Sequence, residues 1–319
     1  MHYREVRNYG FNHIVRKYAH FPWYLPLPAQ IEHGWTAHAE ALKSDLNTDK
    51  PLMLVFSRRR AKAWKKRSNV PVAIMGSPFI HYKNIGRISK QKNAKGTVVF
   101  ISHSTFDIKC KFDIFKFCKE LKKLPKQYQP ITICLFYLDL IDKKTDIYRK
   151  MGFKVACAGP KFVNSLDFPR RFYEILSSHK YATSNAIGSY AFYAIDLGIP
   201  FFLTGPRPKL INQGDKDVNL LGVERHGETE FHKKVYGLFS TGPAEKISKK
   251  QADFVADEMG VNDCLSGKKL GLLLRKYYKQ NNYYKLIALH IMSLVLHGVI
   301  FNAPWTGLAM SVRNRLGKP

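Results

Sequence analysis

YATSNAIGSYAFYAIDLGIPFFL, residues 181–203, carries two apolar runs on either side of a helix-period segment. Tyr181-Ala182-Thr183-Ser184-Asn185 reads as a short strand, Ile187 to Leu197 as a helix, and Ile199-Pro200-Phe201-Phe202-Leu203 as the next strand. Strand, helix and strand in so few residues is the βαβ unit of a parallel sheet. The same rhythm runs upstream. Phe168 to Ser178 reads as a helix, and Lys154 to Ala158 as a strand closed by Gly159-Pro160. Asp142 to Met151 is a helix ended by Gly152, and Ile131 to Tyr137 a strand. Phe112, Phe115, Cys118 and Leu121 to Leu124 fall at helical spacing, after a strand Thr97 to Ile101 that opens into Ser102-His103-Ser104-Thr105. The expected fold is a doubly wound α/β domain. Residues 205–250 lose the pattern and are expected to be a loop or insertion over one edge.

A second, smaller α/β unit precedes it. Leu52 to Ser57 reads as a buried strand, Arg58 to Arg67 as a basic helix, and Val70 to Gly76 as a strand breaking at Gly76-Ser77-Pro78. Arg87 to Lys95 is polar and basic, as a linker is. The expected division is a smaller α/β domain over 1–92, a Rossmann-like domain over 93–266, and basic C-terminal helices over 267–319.

The chain has 319 residues and a formal net charge of +28, with 45% hydrophobic and 13% aromatic residues. That apolar content builds cores and excludes overall disorder. The charge calls for a polyanionic partner: nucleic acid, anionic lipid or phosphorylated small molecules. Five cysteines without a CxxC pair suit buried reduced thiols in a cytoplasmic protein, not a disulfide framework or structural zinc. The first residues hold no apolar segment of a secretory signal. Leu286 to Phe301, interrupted by His290 and His297, is shorter than a spanning helix.

Ligands of doubly wound sheets sit beyond the carboxyl ends of the strands. Ser102, His103 and Ser104 offer hydroxyls and an imidazole there, and Gly159 a bend that admits backbone to a ligand. Ser184, Asn185, Gly188 and Ser189 join a strand to a helix N-terminus, whose free amides suit a phosphate, although a simple helix cap has the same composition. In the first unit, His33 beside Gly34, with Glu32 adjacent, suits a general base toward an acceptor hydroxyl or a structural loop histidine. Gly76-Ser77-Pro78 is a second wall of that cleft or an ordinary turn.

The order QIEHGW, a basic strand–helix–strand ending in MGSPF, a linker, and TSNAIGSYAFYAIDLGIPFF resembles metal-independent GT-B glycosyltransferases of bacterial capsule, lipopolysaccharide and teichoic-acid assembly. The resemblance implies two Rossmann-like parallel-sheet domains facing a central cleft. It implies a catalytic base at His33-Gly34 and a donor diphosphate at Ser184 to Ser189, followed by Gly198-Ile199-Pro200. Many such enzymes carry a ribose-binding Glu in the helix after the donor turn; here Asp196 is the only acid in that helix. No metal-binding DxD motif stands at a strand end, so the leaving group is expected to meet amides, hydroxyls and basic groups.

From Gly267 to Pro319 there are nine basic residues and no acid, interleaved with Tyr277, Tyr278, Tyr283, Tyr284 and Trp305. Such a segment suits an anionic bilayer surface or a buried closing helix. The expected activity is transfer of a sugar from a nucleotide-sugar donor, of UDP or CMP type, to a glycan or lipid-linked acceptor. The expected setting is the inner face of the plasma membrane, with no cofactor and no metal. Alternatives are a polyol-phosphate or phosphosugar transferase using a CDP-linked donor, and a basic nucleic-acid-binding protein. The last lacks RNP-like aromatics, helix-turn-helix spacing or a zinc motif.

Overall fold

Two parallel sheets organise the chain, and each strand's flanking sequence explains its place. The computed structural model describes residues 8–37, 40–46, 48–105, 108–141, 145–160, 165–214, 230–239 and 242–292. Helix α1 (Phe11–Tyr18) buries Phe11, Ile14 and Val15 on one face. Strand β1 (Gln30–Ile31), helix α2 (Lys43–Leu46), strand β2 (Met53–Val55), helix α3 (Arg58–Lys65), strand β3 (Val72–Ile74) and helix α4 (Pro78–Ile85) follow. The three strands pair in the order β1-β2-β3, all parallel, with Met53 opposite Val72. Ser57 starts α3 by accepting the Arg60 N–H on its side chain, and Pro78 sits where a helix has no amide to lose.

The larger unit contains β4 (Thr97–Phe100), β5 (Ile108–Lys111), α5 (Ile114–Lys122), β6 (Ile131–Cys134), α6 (Tyr137–Ile141), α7 (Thr145–Lys150), β7 (Lys154–Ala156) and α8 (Asp167–Ser177). It continues through β8 (Tyr181–Ser184), α9 (Ser189–Asp196), β9 (Phe201–Leu203), β10 (Lys209–Asn212), α10 (Glu230–Phe239) and α11 (Lys249–Glu258). Five of its strands form a parallel sheet in the order β7-β6-β4-β8-β9. The chain winds outward from β4 through β6 to β7, then returns to β8 on the other side. That reversal places a topological switch between β4 and β8. β4, β6 and β8 are buried at every position, as strands covered on both faces must be.

The chain departs from the sequence expectations in four places. β6 stops at Cys134 and Tyr137 already belongs to α6. β5 and β10 form a separate antiparallel ribbon. α10 is part of the core, because Phe239 packs on Phe192 and Phe201 at 6.0 and 5.8 Å. Gly76-Ser77-Pro78 is the start of α4, not a bare turn. The expected helix start at Asp142, residues 215–229 of the expected insertion, and residues 293–319 with Trp305 lie outside the described residues.

One apolar cluster joins the two sheets. It runs from Leu54 and Phe56 through Phe79 to Phe100, Phe172 and Phe192. Phe79 stacks on Tyr193 at 4.9 Å, and its carbonyl accepts the Tyr173 hydroxyl at 3.0 Å. Lys83 pairs with Asp196 at 2.6 Å on the same seam. The two units therefore meet in packed side chains along α4, α8 and α9. Helix α12 (Gly267–Gln280), a 3-10 turn at Tyr283–Leu286 and helical residues 287–292 complete the description. Among the described residues, no helix is long and apolar enough to cross a membrane. Among the described residues, none of the five cysteines is in a disulfide; Cys118 and Cys134 are buried, and burial pushes the Cys134 thiol up to about 12.

Candidate functional site at the sheet switch point

Asn185 occupies the split between β4 and β8. Its side chain is buried, with Oδ1 accepting the Ser102 N–H at 3.1 Å and Nδ2 donating to the Pro206 carbonyl at 3.4 Å. One amide thus holds the loops that leave β4, β8 and β9. Ser102, His103 and Ser104 stand half-buried on the β4 loop. The His103 ring stacks on Phe136 at 3.9 Å, and the Ser104 hydroxyl accepts the Cys110 N–H at 3.0 Å, leading into β5.

The corner between Ser184 and Gly188 is filled. Tyr190 lies flat on Phe100 at 5.0 Å and shares a hydrogen bond of 2.9 Å between its hydroxyl and that of Ser184. It also donates to the Ala186 carbonyl at 2.9 Å, while the Ala186 N–H donates to Ser184 Oγ at 3.2 Å. The Ile187 N–H donates to the Tyr236 hydroxyl at 3.3 Å. Ser184 was expected to hold a donor phosphate; instead its buried hydroxyl is spent inside the turn. Ser189 is likewise turned toward Tyr193, whose hydroxyl also receives a hydrogen bond from Ser77 at 3.0 Å. The backbone of Gly188 and Ser189 stays half-exposed at the rim.

Basic groups gather around that rim. Arg207, exposed between Pro206 and Pro208, lies over the Tyr236 ring at 4.1 Å. The β5/β10 ribbon grows from the same two loops, with Lys111 directly opposite Lys209. Lys109, two residues from Lys111, shares its face of the strand, and all three lysines are exposed. Like charges directly opposite one another destabilise a sheet, so this ribbon concentrates positive charge at some cost to its own pairing.

The first unit reaches toward the same place through the loop after β1. Glu32, expected to assist catalysis, is instead buried in an ion pair with Arg60, and its second oxygen accepts the Phe56 N–H at 3.1 Å. Burial raises its proton affinity and Arg60 opposes the rise. It anchors the loop. His33 is exposed at the loop's tip. Trp35 then packs edge-on against Phe192 of α9 at 4.7 Å and donates to Glu258 at 2.7 Å. Arg59 grips Glu258 with two nitrogens at 2.8 and 2.7 Å, donates to the Thr36 carbonyl at 2.6 Å, and covers the Phe231 ring at 4.3 Å.

Phe231 and Tyr236 both belong to α10. Five residues of helix rise about 7.5 Å. One helix therefore ties the loop of His33 to the Arg207 rim across a short span. The carboxyl end of the small sheet is otherwise closed. The Ser77 N–H donates to the Met259 carbonyl at 2.9 Å, and Gly260, at φ +66°, passes so near β2 that a Cβ there would lie 1.8 Å from the Phe56 carbonyl oxygen. Gly159, at φ 92°, is buried beyond β7 with its N–H directed to Cys157 Sγ at 3.2 Å. Asp196 points to Lys83 at the far end of α9, away from the Ser184–Ser189 turn. Among the described residues, no group of His, Cys, Asp and Glu is arranged to hold a metal ion.

Sequence reasoning took Arg59 only as part of a basic helix and had no reason to select Glu258, Tyr236 or Arg207. A signal existed only for the last: an arginine between two prolines directly after a strand is held in a preset backbone. Within the basic helix read at Arg58 to Arg67, Arg59 and Arg60 turn inward to Glu258 and Glu32, while Arg58 stays exposed beside Asp263. No protein-family model matches the chain, and no curated protein matches its sequence.

Proposed function

We propose that the protein is a metal-independent transferase of GT-B type that moves a sugar from a nucleotide-linked donor to a glycan or lipid-linked acceptor. The observation that carries this reading is the helix α10 bridge. It brings the exposed His33 loop of one parallel-sheet unit to the basic rim of the other unit's switch point. In this reading the nucleotide lies over the β4/β8 split, held by the Ser102–Ser104 loop and the backbone of Gly188 and Ser189. Arg207 and the ribbon lysines receive the diphosphate. His33 removes the acceptor hydroxyl proton as that oxygen attacks the sugar carbon. The bond from that carbon to the nucleotide's phosphate oxygen breaks, and the leaving nucleotide carries its electrons into the basic rim.

A CDP-linked polyol-phosphate donor would use the same groups, and the bond formed in the product, glycosidic or phosphodiester, decides between the two. The test is a thermal-shift comparison of UDP, CMP, GDP and CDP, followed by His33→Ala. That variant is expected to keep nucleotide binding and lose turnover. Full turnover in His33→Ala would remove His33 from the mechanism. Stabilisation by oligonucleotides that persists at high salt, with none by nucleotides, would favour a nucleic-acid-binding protein instead.

A further inference from the structure

Trp23 and Tyr24 are neighbours in sequence, and both project into solvent, Trp23 at 66% and Tyr24 at 47% exposure. The loop that carries them is rigid. Buried Arg16 donates from one nitrogen to the carbonyls of Pro22 and Leu25, both at 2.7 Å, and covers the Phe21 ring at 5.6 Å. A guanidinium locking both ends of a four-residue turn removes the freedom to fold these rings inward.

A second segment from the other end of the chain joins them. His290 is buried, with Nε2 at 3.0 Å from the Trp23 carbonyl, while Leu289, Ile291 and Met292 on either side are exposed. α12 packs beneath this junction. Gly271 lies so near α1 that a Cβ would meet the Ala19 carbonyl at 2.2 Å, and Tyr278 packs against Phe21 at 6.2 Å. Its outer face carries exposed Leu272 among Lys268, Lys269, Lys276 and Lys279, and no acid occurs from Gly267 to Met292.

We infer that the Trp23–Tyr24 loop and residues 289–292, bordered by the basic face of α12, form a docking surface for an anionic lipid bilayer. Interface-seeking aromatics and aliphatic side chains insert between headgroups, and the lysines meet lipid phosphates. Charge decides the occupant. An acid-free, lysine-rich border repels a second copy of a chain whose net charge is +28 and is attracted to a negative membrane. The inference stands apart from the transferase reading, since the surface involves none of the switch-point groups.

The experiment is co-sedimentation of the full chain with vesicles of phosphatidylcholine alone and of phosphatidylcholine mixed with phosphatidylglycerol. The wild type should bind the mixed vesicles and not the neutral ones, less tightly as salt rises. Trp23→Ser with Tyr24→Ser should weaken binding roughly tenfold, and Lys276→Glu with Lys279→Glu by roughly tenfold or more. These residues are exposed, so unchanged melting temperatures are expected to accompany the losses. Absence of wild-type binding, equal binding to both vesicles, or binding unchanged in both double variants would overturn the inference. So would self-association abolished by Trp23→Ser/Tyr24→Ser without vesicle binding, which would make a second copy the occupant. Nucleotide-induced stabilisation, measured in the same samples, reports on the switch point independently.

Discussion

Asn185 and Ser102 are bonded across the split in the five-stranded sheet, the Ser102 N–H donating to Asn185 Oδ1 at 3.1 Å. The two residues lie at the carboxyl ends of β8 and β4, whose helical connections leave in opposite directions. A gap opens there in every doubly wound sheet. Here a buried carboxamide spans it and also holds the β9 loop that carries Arg207.

Asn185→Ala should therefore loosen two loops at once. Loss of the hydrogen bond to a buried amide is expected to cost about 1–3 kcal/mol of stability. Nucleotide affinity should fall further than that of a control variant matched in stability. Equal melting temperatures and equal nucleotide affinity would show that the staple is idle.

Glu32 and Arg60 form a buried pair beneath the His33 loop. Glu32→Ala leaves a buried cation without its partner and should destabilise by about 3–5 kcal/mol. Replacing both residues with methionine should recover much of that loss, because two desolvated charges disappear together. Chemical denaturation of the single and double variants checks both expectations. Retained stability in Glu32→Ala would contradict the anchoring role.

Arg59→Lys tests the bridge between units. Lysine keeps the charge but cannot grip Glu258 with a planar fork while reaching the Thr36 carbonyl. The expected outcome is reduced turnover with nucleotide affinity held within about twofold, since the groups proposed to hold the donor lie at the Tyr236 end of α10. A fall in nucleotide affinity alone would place Arg59 on the donor side.

Two histidines set an acid limit on stability. His81 is packed between the Met75 carbonyl and the Tyr18 ring, and His179 between Thr132 and the Ile175 carbonyl; burial lowers the proton affinity of both. Each stays neutral in the folded chain below the pH at which the unfolded chain takes up its proton, near 6.5. The histidines' contribution to stability should thus be level above about pH 6.5 and fall as pH drops below it, by up to about 1.4 kcal/mol per histidine per pH unit. His179→Gln should flatten part of this slope in melts across that range. A slope identical to wild type would exclude His179 as a source.

The parallel strands were legible because β4, β6 and β8 are short apolar runs bounded by glycine, proline and polar turns, and burial on both faces leaves no other composition. The β5/β10 ribbon was not, because Ile108-Lys109-Cys110-Lys111 and Lys209-Leu210-Ile211-Asn212 become a pair only when the loops after β4 and β9 meet. The site divided along the same line. The places of His33, Ser102 and Asn185 follow from their position after strands, although Asn185, expected to hold a phosphate, is buried with its amide bonded to two loops. Burial of Ser184 under Tyr190, and of Glu32 against Arg60, depends on partners that spacing does not reveal. Phe79 shows the limit most plainly. It follows a Gly-Ser-Pro turn signal, yet its ring joins the cores of both sheets.

Nucleotide binding at the Arg207 rim is the most direct measure of the account. With a nucleotide at tenfold its dissociation constant, a chain of this size should melt about 2 °C higher. One of UDP, CMP, GDP or CDP should produce that shift, and Arg207→Ala should abolish it while leaving the unliganded melting temperature in place. No shift with any of the four, or a shift undiminished in both Arg207→Ala and Asn185→Ala, would contradict it.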